Sequence, residues 1–107
     1  MSKHTPGPWQ IKINVSSACV LDGKGALLAR LLLGNHGNDR VVANARLMTA
    51  APDLLRALQE IHARLIEHPA YADLTEAEEE DIGGDTAELS YLARVARAAI
   101  AKAEGSA

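Results

Sequence analysis

Trp9-Gln10-Ile11-Lys12-Ile13-Asn14-Val15 puts Trp9, Ile11, Ile13 and Val15 on one side of an extended chain and Gln10, Lys12 and Asn14 on the other. Alternation with a period of two predicts a half-buried strand. Ser16-Ser17 reads as a turn and Ala18 to Leu21 as a second strand. Asp22-Gly23-Lys24-Gly25 is a hairpin signal, because glycine enters positive φ without steric cost. Ala26 to Leu33 reads as a third strand. Apart from Arg30 it is apolar throughout, the pattern of a strand buried on both faces. Residues 9–33 are therefore expected to form a three-stranded antiparallel meander, entered through an extended lead-in over 1–8 that Pro6 and Pro8 keep out of helical geometry.

Downstream the rhythm becomes helical. After the polar stretch Gly34-Asn35-His36-Gly37-Asn38, Asp39 is placed to cap a helix along which Val42, Ala45, Leu47, Met48 and Ala51 recur at helical spacing. Pro52 lacks an amide proton and clashes one turn back, so the helix is expected to kink or restart there. Leu54, Leu55, Leu58, Ile61, Leu65 and Ile66 continue the stripe to His68-Pro69, giving a kinked arm over 39–68. Residues 70–85 are the most polar and read as an acidic loop with one capped turn, Thr75 and Glu78 having capping-box spacing. Gly83-Gly84 break that turn. Thr86 is placed to cap a last helix over 86–104, with Leu89, Leu92, Val95, Ala96, Ala99 and Ile100 as its buried stripe. Strands first and helices after define an α+β fold, a meander followed by two to three helices.

The chain has 107 residues, a length that suits one domain able to bury roughly 65% of its unfolded surface. Its core must be aliphatic, since 48% of residues are hydrophobic and 3% aromatic, with no Phe. A net charge of −3 and a pI near 5.7 lack the basic signature of a DNA binder, so direct DNA binding is not expected. Cys19 is the single cysteine, which rules out an intrachain disulfide and fits a cytoplasmic setting. No signal peptide or membrane-length apolar run is visible.

The side chains that carry chemistry are scattered. His4, His36, His62 and His68 show no metal-ligand spacing, with His36 beside Asp39 the best pair, so no metal or cofactor is expected. The run Glu76 to Asp81 lacks the alternation of a calcium loop and reads as a solvated helix face. Gly34 to Gly37 matches neither the dinucleotide fingerprint nor the P-loop. Cys19 sits among apolar residues, where a thiolate is disfavoured. With no activated nucleophile, an enzyme is not expected.

Arg40, Asn44 and Arg46 project polar groups from an alanine-rich, closely packable stretch that includes Ala43, Ala45, Ala50 and Ala51. One reading is a cap and surface ion pairs. The other is a ligand or subunit contact, in which arginine offers a planar fork to phosphate or carboxylate and asparagine offers both donor and acceptor. Trp9 has two readings as well, a strand anchor in the core or a ring that stacks on a base at the edge of a site.

Two segments carry a resemblance. His4-Thr5-Pro6-Gly7-Pro8-Trp9, together with Ala43-Asn44-Ala45-Arg46-Leu47 through Ala50-Ala51-Pro52-Asp53-Leu54-Leu55, resembles a family of small phage and prophage proteins, with Met48 and Thr49 where that family usually has Ile and Ala. The Asn44-Ala45-x-Leu47 helix after a small sheet is more remotely similar to the Thoeris anti-defence sponge proteins of phages. Those proteins sequester cyclic ADP-ribose-type signals and cyclic oligonucleotides, without cleavage, in pockets between subunits. This sequence has Ala50-Ala51-Pro52 where that family usually has Ala-Cys-Asn.

The resemblance implies a phage accessory protein, acting in the host cytoplasm as a homo-oligomer, that counters host defence by binding a cyclic nucleotide-type ligand. The resemblance carries over Asn44, Ala45 and Leu47, and the chemistry of the residues themselves adds that Arg40, Asn44, Arg46 and Trp9 would line the pocket. The alternatives are a protein that blocks a host defence protein, such as a CRISPR complex or nuclease, through the acidic surface Glu76 to Asp81, and a structural or regulatory homo-oligomer.

Overall fold

The computed structural model describes residues 4–34 and 38–105. Its elements run β1 (Gln10–Ile13), β2 (Ser17–Leu21), β3 (Leu27–Leu32), α1 (Asp39–Glu67), α2 (Glu76–Ile82) and α3 (Gly84–Glu104). The fold is α+β, an antiparallel meander in the order β1-β2-β3 followed by three helices. The chain divides into two compact units, Met1–Leu54 and Leu55–Ala107. The parts of the loop and the histidine expected at 35–37, including the pairing of His36 with Asp39, lie outside the described residues.

In the first unit the sheet register sorts the side chains into two faces. Ile11, Val20 and Ala29 lie abreast on one, beside Ile13, Ala18 and Leu31. Ala18 and Val20 form the core with Ala45 of α1, and Trp9, Ile11, Ala29 and Leu31 pack around it. A methyl side chain at 45 lets the helix approach the sheet closely. The first strand ends sooner than the alternation predicts. The Asn14 carboxamide oxygen accepts from the Ser16 and Ser17 amides, at 3.3 and 3.0 Å, so the chain turns there and leaves Val15 97% exposed at the tip. Asp22 does the same work in the second turn, taking the Lys24 and Ala26 amides at 2.9 Å each while Gly25 supplies a φ of 88°.

The third strand is not buried on both faces. It is an edge strand with Leu32 75% exposed and Leu27 and Leu28 also open, and it slips register between Val20 and Leu21. Its apolar run reflects exposed leucines rather than a central position.

Helix α1 is a single helix of 29 residues that passes through Pro52 without restarting. Asn38, not Asp39, caps it. The Asn38 side-chain oxygen accepts from the Arg40 and Val41 amides, at 3.0 and 3.3 Å, and Asp39 is already helical. Of the stripe expected on α1, Ala45 is buried whereas Leu47, Leu54 and Ile61 are more than half exposed.

In the second unit the chain leaves α1 at His68, whose Nδ1 accepts from the Ala70 amide at 3.0 Å. The acidic stretch is a true helix, α2, closed at its start by the Thr75–Glu78 capping box in both directions, at 3.2 and 3.1 Å. Helix α3 starts two residues before Thr86, with Gly83 (φ 64°) at its N-cap and no side-chain cap, so Thr86 is inside the helix. Its buried residues are Ala87, Ser90, Ala93 and Ala96. The larger Leu92 and Val95, expected in the core, are 41% and 47% exposed. Small residues at intervals of three let α3 lie close to its neighbours, and the bulk is displaced to the outside.

Candidate functional site

All three polar residues singled out on α1 are exposed. Arg40 and Asn44 are one turn apart on the same flank, about 6 Å along the axis. Arg46 is two residues beyond Asn44, which at about 100° per residue places it about 160° away around the helix. Ala45, buried against the sheet, lies between them. One chain thus brings Arg40 and Asn44 together and leaves Arg46 apart. Asn38 occupies the Arg40 and Val41 amides, so a ligand at this end of α1 meets the Arg40 guanidinium rather than a bare helix end. Trp9 is half-buried. Its indole N–H donates to the Thr5 carbonyl at 3.2 Å and its ring packs on the Ala18, Val20 and Ala45 cluster. It anchors the lead-in to the core.

The face of the sheet that carries Cys19 also carries two cations. Lys12, Cys19 and Arg30 are directly opposite one another across the three strands. Cys19 is a buried free thiol, as expected. The Ser17 hydroxyl is 3.7 Å from its sulfur. The thiol's pKa lies below the ordinary value of 9.0, held down first by the Ser17 hydrogen bond, against burial that pushes it up, and further by a hydrogen bond to Arg30 and the Arg30 and Lys12 charges. The apolar neighbours in sequence are neighbours along the strand. The neighbours that set the thiol's chemistry lie across it.

A second group lies between α2 and α3. Arg94 reaches Glu79 at 2.7 Å and Glu76 at 3.1 Å, and the Ser90 hydroxyl donates to the other Glu79 oxygen at 2.8 Å. The Arg94 guanidinium holds the Glu79 carboxyl below its usual range, with the Ser90 bond adding to the effect and burial opposing it. Arg94 is itself pushed upward by Glu79. Tyr91 lies beneath the guanidinium, 5.3 Å from ring centre to carbon. Glu76, Glu79, Glu80, Glu88, Tyr91 and Arg94 line a recess of about 520 Å³. No local spacing announces this group, because its partners are 11 to 18 residues apart in the chain. The one signal was the Thr75–Glu78 box, which fixes α2 as a helix and so puts Glu76 and Glu79 on one face.

Among the described residues, no group of three or more His, Cys, Asp or Glu is arranged to hold a metal ion. No described helix is long and apolar enough to cross a membrane.

These features define a small α+β protein with a meander in its first unit and a recess between α2 and α3 in its second. The family model described as Salmonella phage P22 protein Y8K6 matches residues 1–107, and the chain belongs to that phage protein family. No curated protein and no solved structure matches it.

Proposed function

We propose that this phage protein acts by binding, without a covalent step, and that it counters host defence by sequestering a nucleotide-derived signal as an oligomer. The observation that carries the reading is the exposed pairing of Arg40 and Asn44, one turn apart on the first turns of α1. The guanidinium suits a phosphate, and the carboxamide suits the polar edge of a base. Neither group is a nucleophile or a proton acceptor at neutral pH, so a ligand held there is released unchanged. Arg46 points away within its own chain. In an oligomer, the Arg46 of one copy is free to complete the site of another. The test is a thermal-shift screen against cyclic dinucleotides, cyclic trinucleotides and cyclic ADP-ribose isomers, followed by recovery of the ligand. Stabilisation with intact ligand supports the reading, and a cleaved ligand overturns it.

A second reading draws on the recess between α2 and α3. Tyr91 is 49% exposed beside Arg94 and is ringed by carboxylates. An exposed tyrosine and an arginine are the residue types that dominate protein–protein contacts. Under this reading the acidic surface engages a basic host defence protein, and Tyr91→Ala removes the activity while Arg40→Ala leaves it intact.

A further inference from the structure

Among the described residues Val20 is the largest side chain that is fully buried, whereas the exposed large apolar residues include Ile61, Leu92 and Val95 in the second unit. There, Leu58, Ile61 and Leu65 of α1 face Leu92, Val95 and Ala99 of α3 across an open apolar groove of about 260 Å³. The two helices run antiparallel, since Gln59 bonds Glu104 at one end while His68 lies beside Asp85 and Glu88 at the other. The groove leaves large apolar side chains of both helices open to a partner, between the polar ends marked by Gln59 with Glu104 and His68 with Asp85.

The spacing along α3 says what covers it. Asp85, Glu88, Leu92, Val95, Ala99 and Lys102 follow one another at intervals of three and four, the rhythm of a coiled-coil seam, and every one of them is exposed. The acids lie at one end, the lysine at the other, and the apolar residues in the middle. Such a seam is self-complementary when two copies meet antiparallel about a two-fold axis between Leu92 and Val95. Leu92 then faces Val95 of the partner, Glu88 faces Ala99, and Asp85 faces Lys102. A parallel pairing would instead put Asp85 against Asp85 and Glu88 against Glu88. The 21-residue α3 is about 31 Å long. With α1 beside it, the seam runs along most of that length.

We infer that a second copy of this chain docks on the α1–α3 face of the second unit, α3 against α3 and antiparallel, to form a four-helix dimer held in register by Asp85 and Lys102. The inference gives a specific interface to the oligomer in the proposed function, and its test uses no nucleotide, so each can fail alone.

The experiment is sedimentation equilibrium on the full chain without ligand, with far-ultraviolet circular dichroism on every variant to confirm helix content. The wild-type protein is expected at twice the chain mass. Val95→Lys places charges at the axis and is expected to give a folded monomer. Asp85→Lys and Lys102→Asp are each expected to raise the dimer dissociation constant at least tenfold, and the double exchange to recover most of that loss. A wild-type monomer at tens of micromolar would overturn the inference. So would a dimer that is indifferent to Val95→Lys and to both charge reversals, or one that Leu32→Glu on β3 dissociates in their place.

Discussion

Gly7 stands so close to Pro52 that a β-carbon on Gly7 would lie 2.7 Å from the proline Cβ. The lead-in and the middle of α1 are 45 residues apart in sequence, and in the first unit they touch with no room for a methyl group. The obstructing atom belongs to a ring fixed in a helix, so it cannot swing aside. Gly7→Ala is expected to cost about 1–3 kcal/mol, the usual penalty for overpacking. Urea denaturation checks this. In a double-mutant cycle Gly7→Ala should cost less in a Pro52→Gly background, which lacks the Cβ that the new methyl meets.

His62 lies on α1 with its Nε2 buried and without a hydrogen-bond partner among the described residues. An unmet buried polar atom costs about 1–3 kcal/mol. His62→Leu keeps a similar volume and removes that atom, so it is expected to raise stability by about 1 kcal/mol in the same denaturation assay. A loss of stability would mean that the ring has a polar role the fold depends on.

Glu79 makes stability depend on acid. Its folded carboxyl is depressed by Arg94 and Ser90. A depressed carboxylate contributes stability that is fully present above the unfolded value, about 4.3, and is lost as pH falls through the folded value. Glu79→Gln cannot hold the ion pair and should be less stable than wild type at neutral pH. The gap between the two proteins should close as the pH drops below the ordinary carboxylate range. Parallel melting curves across that range would contradict the assignment.

Cys19 offers a spectroscopic check on the side chains that surround it. The ultraviolet absorbance of the thiolate in the folded protein should rise with a midpoint below 9.0. Ser17→Ala removes the leading cause and Arg30→Ala a lesser one, so both should move the midpoint up, Ser17→Ala by more. A wild-type midpoint at or above 9.0 would mean that burial outweighs the Ser17, Arg30 and Lys12 contributions.

The order of elements was legible because its signals are local. The alternation from Trp9, the Asp22 to Gly25 turn, the Thr75–Glu78 box and Gly105 at the end of α3 each act within a few residues, and the structure has a hairpin turn, a capping box and a left-handed C-cap at those places. Errors arose where a tertiary neighbour decides the outcome. Hydrophobic rhythm finds a face on Leu92 and Val95 but does not say whether this chain covers it, and buried alanines took the place of the expected leucines. Asn38 and Asp39 are both capable caps, and one residue of register separates them. The Cys19 environment is set across strands, and the Arg94 group across helices, so neither has a signature in spacing. Of the residues picked for ligand contact, Arg40 and Asn44 are exposed on one flank, Arg46 lies on another, and Trp9 is half-buried against the core cluster.

The proposal of ligand capture at the start of α1 is tested most directly by isothermal titration of the full chain with the nucleotide that gives the largest thermal shift. At 100 times its dissociation constant such a ligand adds about 2.7 kcal/mol of stability. The expected result is saturable binding that Arg40→Ala and Asn44→Ala each weaken at least tenfold without a change in folded stability, with the ligand recovered intact. Binding that is undiminished in both variants, or no heat with any nucleotide in the screen, would contradict it.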